Sequence, residues 1–212
     1  MDVMTDWLSW HSAYDDPSSP LSERLSVVQT HIQAWLDETA PSPVTVVSSC
    51  AGDGRDLLDV LARRGDAERV TATLIEADAR NADRARDQVA RLGLSAVNVR
   101  SADAGASDAY KGAAPADMLM LCGIFGNISD EDVSRTIAAA PQLCTRGALV
   151  IWTRHRREPD LTPRVRKWFE SHGFIEEAFV APDHANYSVG VHRYVEATQP
   201  LVLGQRLFTF VR

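Results

Sequence analysis

The sequence predicts an α/β fold: a doubly wound, mostly parallel seven-stranded sheet with an antiparallel terminal strand, preceded by an N-terminal helical cap. Three observations predict it. From residue 44 onward, short β-branched apolar runs alternate with segments whose apolar residues recur at helical spacing. The first run, 44–47, leads through Gly52 and Gly54 into Leu57, Leu58 and Leu61, so strand, tight turn and helix follow without a linker. Residues 174–212 carry extended segments with no helical stripe between them, the pattern of an antiparallel end.

The elements follow in order. Trp7, Leu8 and Trp10 suggest a short helix, broken by Asp15, Asp16, Pro17, Ser18 and Ser19. Ser19 is placed to cap a second helix with Pro20 at its first position, and Leu21, Leu25, Val28, Ile32, Trp35 and Leu36 form its apolar stripe. Pro41 and Pro43 end it, so residues 1–43 read as the helical cap and 44–212 as one globular unit. Within that unit the strands expected are 44–47, 70–75, 97–100, 118–121 and 148–152. Between them lie helices over about 54–64, capped off by Gly65, and from Asp78 to near Gly93, with a third opened by Ser129 and the acids that follow it. Thr162-Pro163 starts a further helix, which Gly173 closes. Segments 174–180 and 205–211 read as two further strands, and part of the long stretch between them, around 187–194, is able to pair as well.

Bulk properties narrow the function. With 212 residues, 45% hydrophobic and 24% charged, the chain suits one domain with a full-sized core. Its net charge of -7 argues against a general nucleic-acid binder, which needs clustered Lys and Arg. Arg154, Arg156 and Arg157 are followed at once by Glu158 and Asp160. Cys50, Cys122 and Cys144 are odd in number and far apart, without zinc-type spacing, so neither a metal site nor a disulfide framework is expected, and a reducing cytoplasm fits best. The first 16 residues lack the pattern of a signal peptide, and no apolar run approaches membrane-spanning length.

In doubly wound sheets, ligands bind beyond the carboxyl ends of the strands. The segments to examine are therefore 48–55, 76–78, 101–105, 122–127 and 153–156. These carry four patches: Val-Val-Ser-Ser-Cys-Ala-Gly-Asp-Gly-Arg-Asp-Leu-Leu (46–58), Leu-Ile-Glu-Ala-Asp (74–78), Ser-Ala-Asp-Ala (101–104) and Ala-Asp-Met-Leu-Met-Leu-Cys-Gly (116–123). In content and order they resemble the class I S-adenosylmethionine-dependent methyltransferases, whose fold is Rossmann-like. The Gly-Asp-Gly-Arg-Asp-Leu form is similar to a bacterial subgroup of that family. The chain departs from the usual pattern at Ser48, where an acid is expected, and at Cys50, where the loop has its first glycine.

The resemblance implies roles for particular residues. The loop Cys50, Ala51, Gly52, Asp53, Gly54 and Arg55 would approach the methionine part of S-adenosyl-L-methionine. Glu76, with Ala77 beside it, would accept from both ribose hydroxyls, since one carboxylate offers lone pairs to two donors. Asp103 would accept from the adenine amino group while the Ala104 amide meets a ring nitrogen. Cys122 and Gly123 would lie beneath the transferable methyl group, and Asn127 would touch the acceptor. The implied reaction is in-line methyl transfer to a small-molecule acceptor, with no membrane or nucleic-acid partner.

Such a transfer needs a base only where the nucleophile holds a proton of high pKa. His11, Tyr14, His155, His184 and Tyr187 are the candidates, of which Tyr14 in the cap and His155 after a central strand are best placed. Two alternatives stay open at this level. One is a cofactor-binding partner protein without methyl transfer. The other is an NAD(P)-dependent oxidoreductase, which the Leu57 in place of a third loop glycine disfavours.

Overall fold

The computed structural model describes Asp16 and residues 19–211. Helix α1 (Pro20–Thr39) begins where the Ser22 N–H donates to Ser19 Oγ, with Pro20 at its first position. It is followed by β1 (Val44–Ser49), α2 (Arg55–Leu61), β2 (Val70–Glu76), α3 (Ala79–Leu92), β3 (Val97–Ser101), β4 (Ala116–Leu121), α4 (Asp130–Ala139), β5 (Cys144–His155), α5 (Thr162–Ser171), β6 (Phe174–Val180) and β7 (Tyr187–Tyr194).

Seven strands form one sheet in the order β3-β2-β1-β4-β5-β7-β6. β1 to β5 pair in parallel, and β7 runs antiparallel to both β5 and β6. The antiparallel strand thus closes the strand sequence but slots inside the sheet. Opposite Trp152 in this pairing stands Gly190, where a Cβ would come within 2.2 Å of the indole. Only a glycine lets that large side chain lie across the neighbouring strand.

Each face of the sheet carries a core. One gathers Val47, Leu119, Phe125, Trp152 and Phe169, the other Val46, Leu58, Leu74, Met120 and Ile151. This two-sided burial is why the central strands are near-continuous apolar runs rather than alternating ones. Val28, Ile32, Trp35 and Leu36 of α1 are buried in the second core.

Local signals in the sequence match the helix ends. Asp78 accepts from the backbone N–H groups of Arg80 and Asn81 at the start of α3, and Gly93 ends it at φ 67°. Ser129 accepts from the Asp132 N–H at the start of α4. The helix α5 differs slightly: Leu161 precedes it, and Asp160 Oδ1 accepts from the Thr162 N–H.

One expected strand is corrected. Residues 205–211 do not join the sheet, and the strand role falls to Tyr187–Tyr194. Segment 205–211 is extended, but it pairs only by isolated bridges, Ala106 with Arg206 and Ile128 with Phe210. Its partners are loops at the carboxyl ends of β3 and β4, a placement that strand-like composition does not distinguish from membership of a sheet.

Candidate functional site

Chain winding reverses between β1 and β4, which opens a crevice beyond their carboxyl ends. A cavity of about 400 Å³ occupies it, within the range of small-molecule sites.

The loop after β1 forms one wall. Cys50, Gly52 and Gly54 all take left-handed backbone angles, φ 52°, 59° and 77°. Cys50 is the one non-glycine with positive φ among the described residues, in a region that glycine enters more readily. Cys50, Ala51, Gly52, Asp53 and Arg55 line the cavity. Gly54 lies behind that wall, where a Cβ would come within 2.9 Å of both Leu58 and Leu74. Its glycine identity therefore serves the turn and the close packing of α2 on β2. Asp53 and Arg55 pair with each other, the Arg55 Nε donating to both carboxylate oxygens at 3.0 Å.

Glu76 ends β2, with Ala77 and Asp78 beside it on the cavity wall. Its Oε2 accepts from the Gly52 N–H and its Oε1 from the Asp78 N–H, both at 2.8 Å. Two backbone donors thus fix the carboxylate plane. Asn81, one turn into α3, is 4% exposed and lines the same wall, with Oδ1 buried and unpartnered.

Asp103 and Ala104 follow β3 and line the next wall. Asp103 Oδ1 accepts from the Gly105 N–H at 2.8 Å, and Oδ2 takes an ion pair from Arg206. Behind Ala104 runs a buried relay, in which Ser49 Oγ lies 2.9 Å from the Tyr110 hydroxyl and that hydroxyl donates to the Ala104 carbonyl at 2.9 Å. Burial pushes the Tyr110 pKa up, so the phenol stays neutral and donating.

Cys122 and Gly123 after β4 complete the floor, and the Gly123 N–H donates to Thr153 Oγ1 at 2.8 Å. Burial, reinforced by nearby carboxylates, pushes the Cys50 and Cys122 thiols up, which leaves both unreactive.

The remaining wall comes from residues that the sequence did not mark as ligand contacts. They are Arg24 and Leu25 of α1, Asp56, Asp78, Asn81 and Phe210. Asp56 is the second residue of α2, and burial raises its carboxyl to about 6. A hydrogen bond from the Leu57 N–H opposes that rise, the charge of Asp53 adds to it, and Arg24 opposes it. The readable signal for Asp56 was its place two residues beyond the glycine turn, on the first turn of the helix facing the crevice. Arg24 and Phe210 had no local signal, because each arrives from far along the chain.

Other expected residues lie elsewhere. His155 ends β5 and packs over Gly126, whose Cβ would sit 3.0 Å from the imidazole, and it is not on the cavity wall. Asn127 also stays off the wall, its side-chain amide donating to the Gly123 carbonyl at 2.8 Å. His184 bonds to Glu23 at 3.0 Å, and Tyr187 is held beside the same carboxylate. His11 and Tyr14 lie outside the described residues. Among the described residues, no helix is long and apolar enough to cross a membrane.

Charge on the wall is lopsided. Among the described residues, Asp53, Asp56, Glu76, Asp78 and Asp103 line it with Arg24 and Arg55, while Arg80 and Arg206 pair with Asp78 and Asp103.

No protein-family model matches the sequence, and no curated protein matches it. Solved structures do share the fold. An O-methyltransferase family protein from Burkholderia thailandensis matches with TM-score 0.67 and 16% identity over 92% of this chain, which spans 62% of that protein's length. Magnesium protoporphyrin IX methyltransferase from Synechocystis PCC 6803, solved with bound S-adenosylmethionine, matches with TM-score 0.68 and 12% identity, covering 90% of this chain and 91% of that one. Precorrin-6y C5,15-methyltransferase from Geobacter metallireducens GS-15 matches with TM-score 0.58 and 12% identity over 82% of this chain and 87% of its own. At these identities the likeness is one of fold.

Proposed function

We propose that this chain is an S-adenosyl-L-methionine-dependent methyltransferase acting on a small-molecule acceptor in the cytoplasm. The observation that carries the reading is the acid-rich cavity with Glu76 pre-oriented on its wall. The methyl donor is a sulfonium with an α-ammonium group, and it supplies an electrophilic methyl that departs from a neutral thioether. Even with Arg80 and Arg206 paired to Asp78 and Asp103, the acids around the cavity outnumber the arginines, which suits that charge better than it suits an NAD(P) pyrophosphate.

The chain's own residues bind and orient. Glu76, fixed by two backbone N–H groups, presents lone pairs to the ribose diol. Asp103 and Ala104 sit one strand over, where an adenine ring would lie, and the Tyr110 relay holds Ala104 in place. Arg24 and Asp56 of the same wall offer opposite charges to an amino-acid zwitterion. Positioning and exclusion of water provide most of the rate in such a displacement. Burial raises the Asp56 carboxyl to about 6, so it also suits an acceptor that must lose a proton. The resemblance of the Gly-Asp-Gly-Arg-Asp-Leu loop to a bacterial subgroup of the class I methyltransferases supports the reading.

Titration calorimetry with S-adenosylhomocysteine and with NADH tests the reading. Binding of the first and not the second is expected, and the reverse result overturns the proposal. Binding without methyl consumption across a broad acceptor panel would instead point to a non-catalytic partner protein.

A further inference from the structure

Segment 205–211 lies across the carboxyl ends of β3 and β4 and is tied down at alternate residues. The Ser107 N–H donates to the Gln205 carbonyl at 2.9 Å, and the Leu207 N–H donates to the Gly105 carbonyl at 2.7 Å. The Thr209 N–H donates to Asp132 Oδ2 at 2.9 Å, and the Val211 N–H to the Asn127 carbonyl at 2.9 Å. Extended backbone turns the intervening side chains to the other side. Arg206 reaches Asp103, Phe208 is buried, and Phe210 lines the cavity.

The approach at Gly105 is close. A Cβ there would come 2.3 Å from the Phe208 carbonyl oxygen. The loop after β3 is thus shaped to receive this segment, as a casually draped tail would not require. Phe208 and Phe210 meet edge to face at 5.7 Å, which sets the outer ring against an immobile one. Phe210 remains 38% exposed at the cavity rim, an apolar surface that a bound ligand would cover.

We propose that segment 205–211 is a working part of the ligand site, with Phe210 as its aromatic wall and Arg206 as the residue that positions Asp103. The proposal rests on the methyl-donor reading. The acids of the cavity supply charge and hydrogen-bond acceptors, while Phe210 is the large aromatic surface on the wall among the described residues. An aromatic face beside carboxylates favours a ligand that is both flat and cationic. Because the same segment bonds through its backbone to the loops after β3 and β4, whose first residues line the cavity, a ligand held by those residues steadies the segment as well.

The test uses the full chain and S-adenosylhomocysteine as probe. Phe210→Ala should bind it about tenfold more weakly, while Phe210→Tyr stays within about twofold of the parent. Arg206→Ala should weaken it about threefold, with Arg206→Lys largely restoring affinity. Amide hydrogen exchange in the parent protein should slow at 207, 209 and 211 when the probe saturates. Should Phe210→Ala fail to fold, the exchange measurement decides alone. Unchanged affinity in a folded Phe210→Ala, or unchanged exchange at those amides, overturns the inference and leaves the methyl-donor reading standing. A parent protein that binds no probe removes both.

Discussion

The backbone N–H of Gly52 donates to Glu76 Oε2 at 2.8 Å, joining the loop after β1 to the acid that ends β2. Two residues with 23 others between them therefore form one hydrogen-bonded wall, with the Asp78 N–H completing it from the other side. Glu76→Gln replaces one acceptor oxygen by an amide that faces a backbone donor. It should weaken S-adenosylhomocysteine by about tenfold or more, and Glu76→Ala by at least as much. Calorimetry measures this, and unchanged affinity removes the ribose assignment.

Cys50 holds φ 52° without the freedom of glycine. Cys50→Gly should relieve backbone strain of about 1 kcal/mol, offset in part by lost side-chain packing and added unfolded-state entropy. Cys50→Val, branched at Cβ, should cost more than about 1 kcal/mol. Denaturant melts of the two variants report the difference.

The Ser49–Tyr110–Ala104 relay is buried throughout. Tyr110→Phe leaves the Ala104 carbonyl and the Ser49 hydroxyl without their partner and should cost about 1–3 kcal/mol. If the relay sets the adenine-side wall, affinity for S-adenosylhomocysteine falls together with stability.

His192 gives stability a pH dependence. It is 1% exposed and stacked on Phe169, and it accepts from Trp152 Nε1 at 3.1 Å. Burial lowers its pKa to about 4, against the opposing pull of Glu176, which Arg166 partly cancels. The fold prefers the neutral ring, so its contribution is intact above about 6.5 and is lost as pH falls toward 4, by about 3 kcal/mol. Asp56 works in the opposite direction, since its raised carboxyl adds stability as pH falls through about 6. The stability difference between the parent and His192→Gln should therefore shrink between pH 7 and 4, even where the parent's own curve is nearly flat.

Asp56 also predicts a binding profile. Protonation below about 6 removes its charge, so affinity for S-adenosylhomocysteine should decline as pH falls through that value. Asp56→Asn should flatten the profile and bind more weakly at pH 8. An unaltered profile in that variant would sink the zwitterion role.

Much of the framework was legible along the chain. The apolar runs, the caps at Ser19, Asp78 and Ser129, and the glycine turn are local devices, and local devices act within a few residues of where they are written. Cavity-lining places for Cys50, Gly52, Glu76, Asp103 and Cys122 follow from topology, because the carboxyl ends of neighbouring parallel strands converge. His155 follows the same rule to the end of β5, yet packs over Gly126, since strand position does not set side-chain direction.

By itself the sequence determined which segments become strands and helices, and which loop residues gather at one end of the sheet, because those depend on periodicity and turn chemistry. The tertiary structure alone decided that Arg24 and Phe210 share a wall, that segment 205–211 leaves the sheet to cross the loops, and that burial lifts Asp56 toward neutrality. Each of these depends on contacts between residues distant in the chain, and on the water those contacts exclude, which no local pattern encodes.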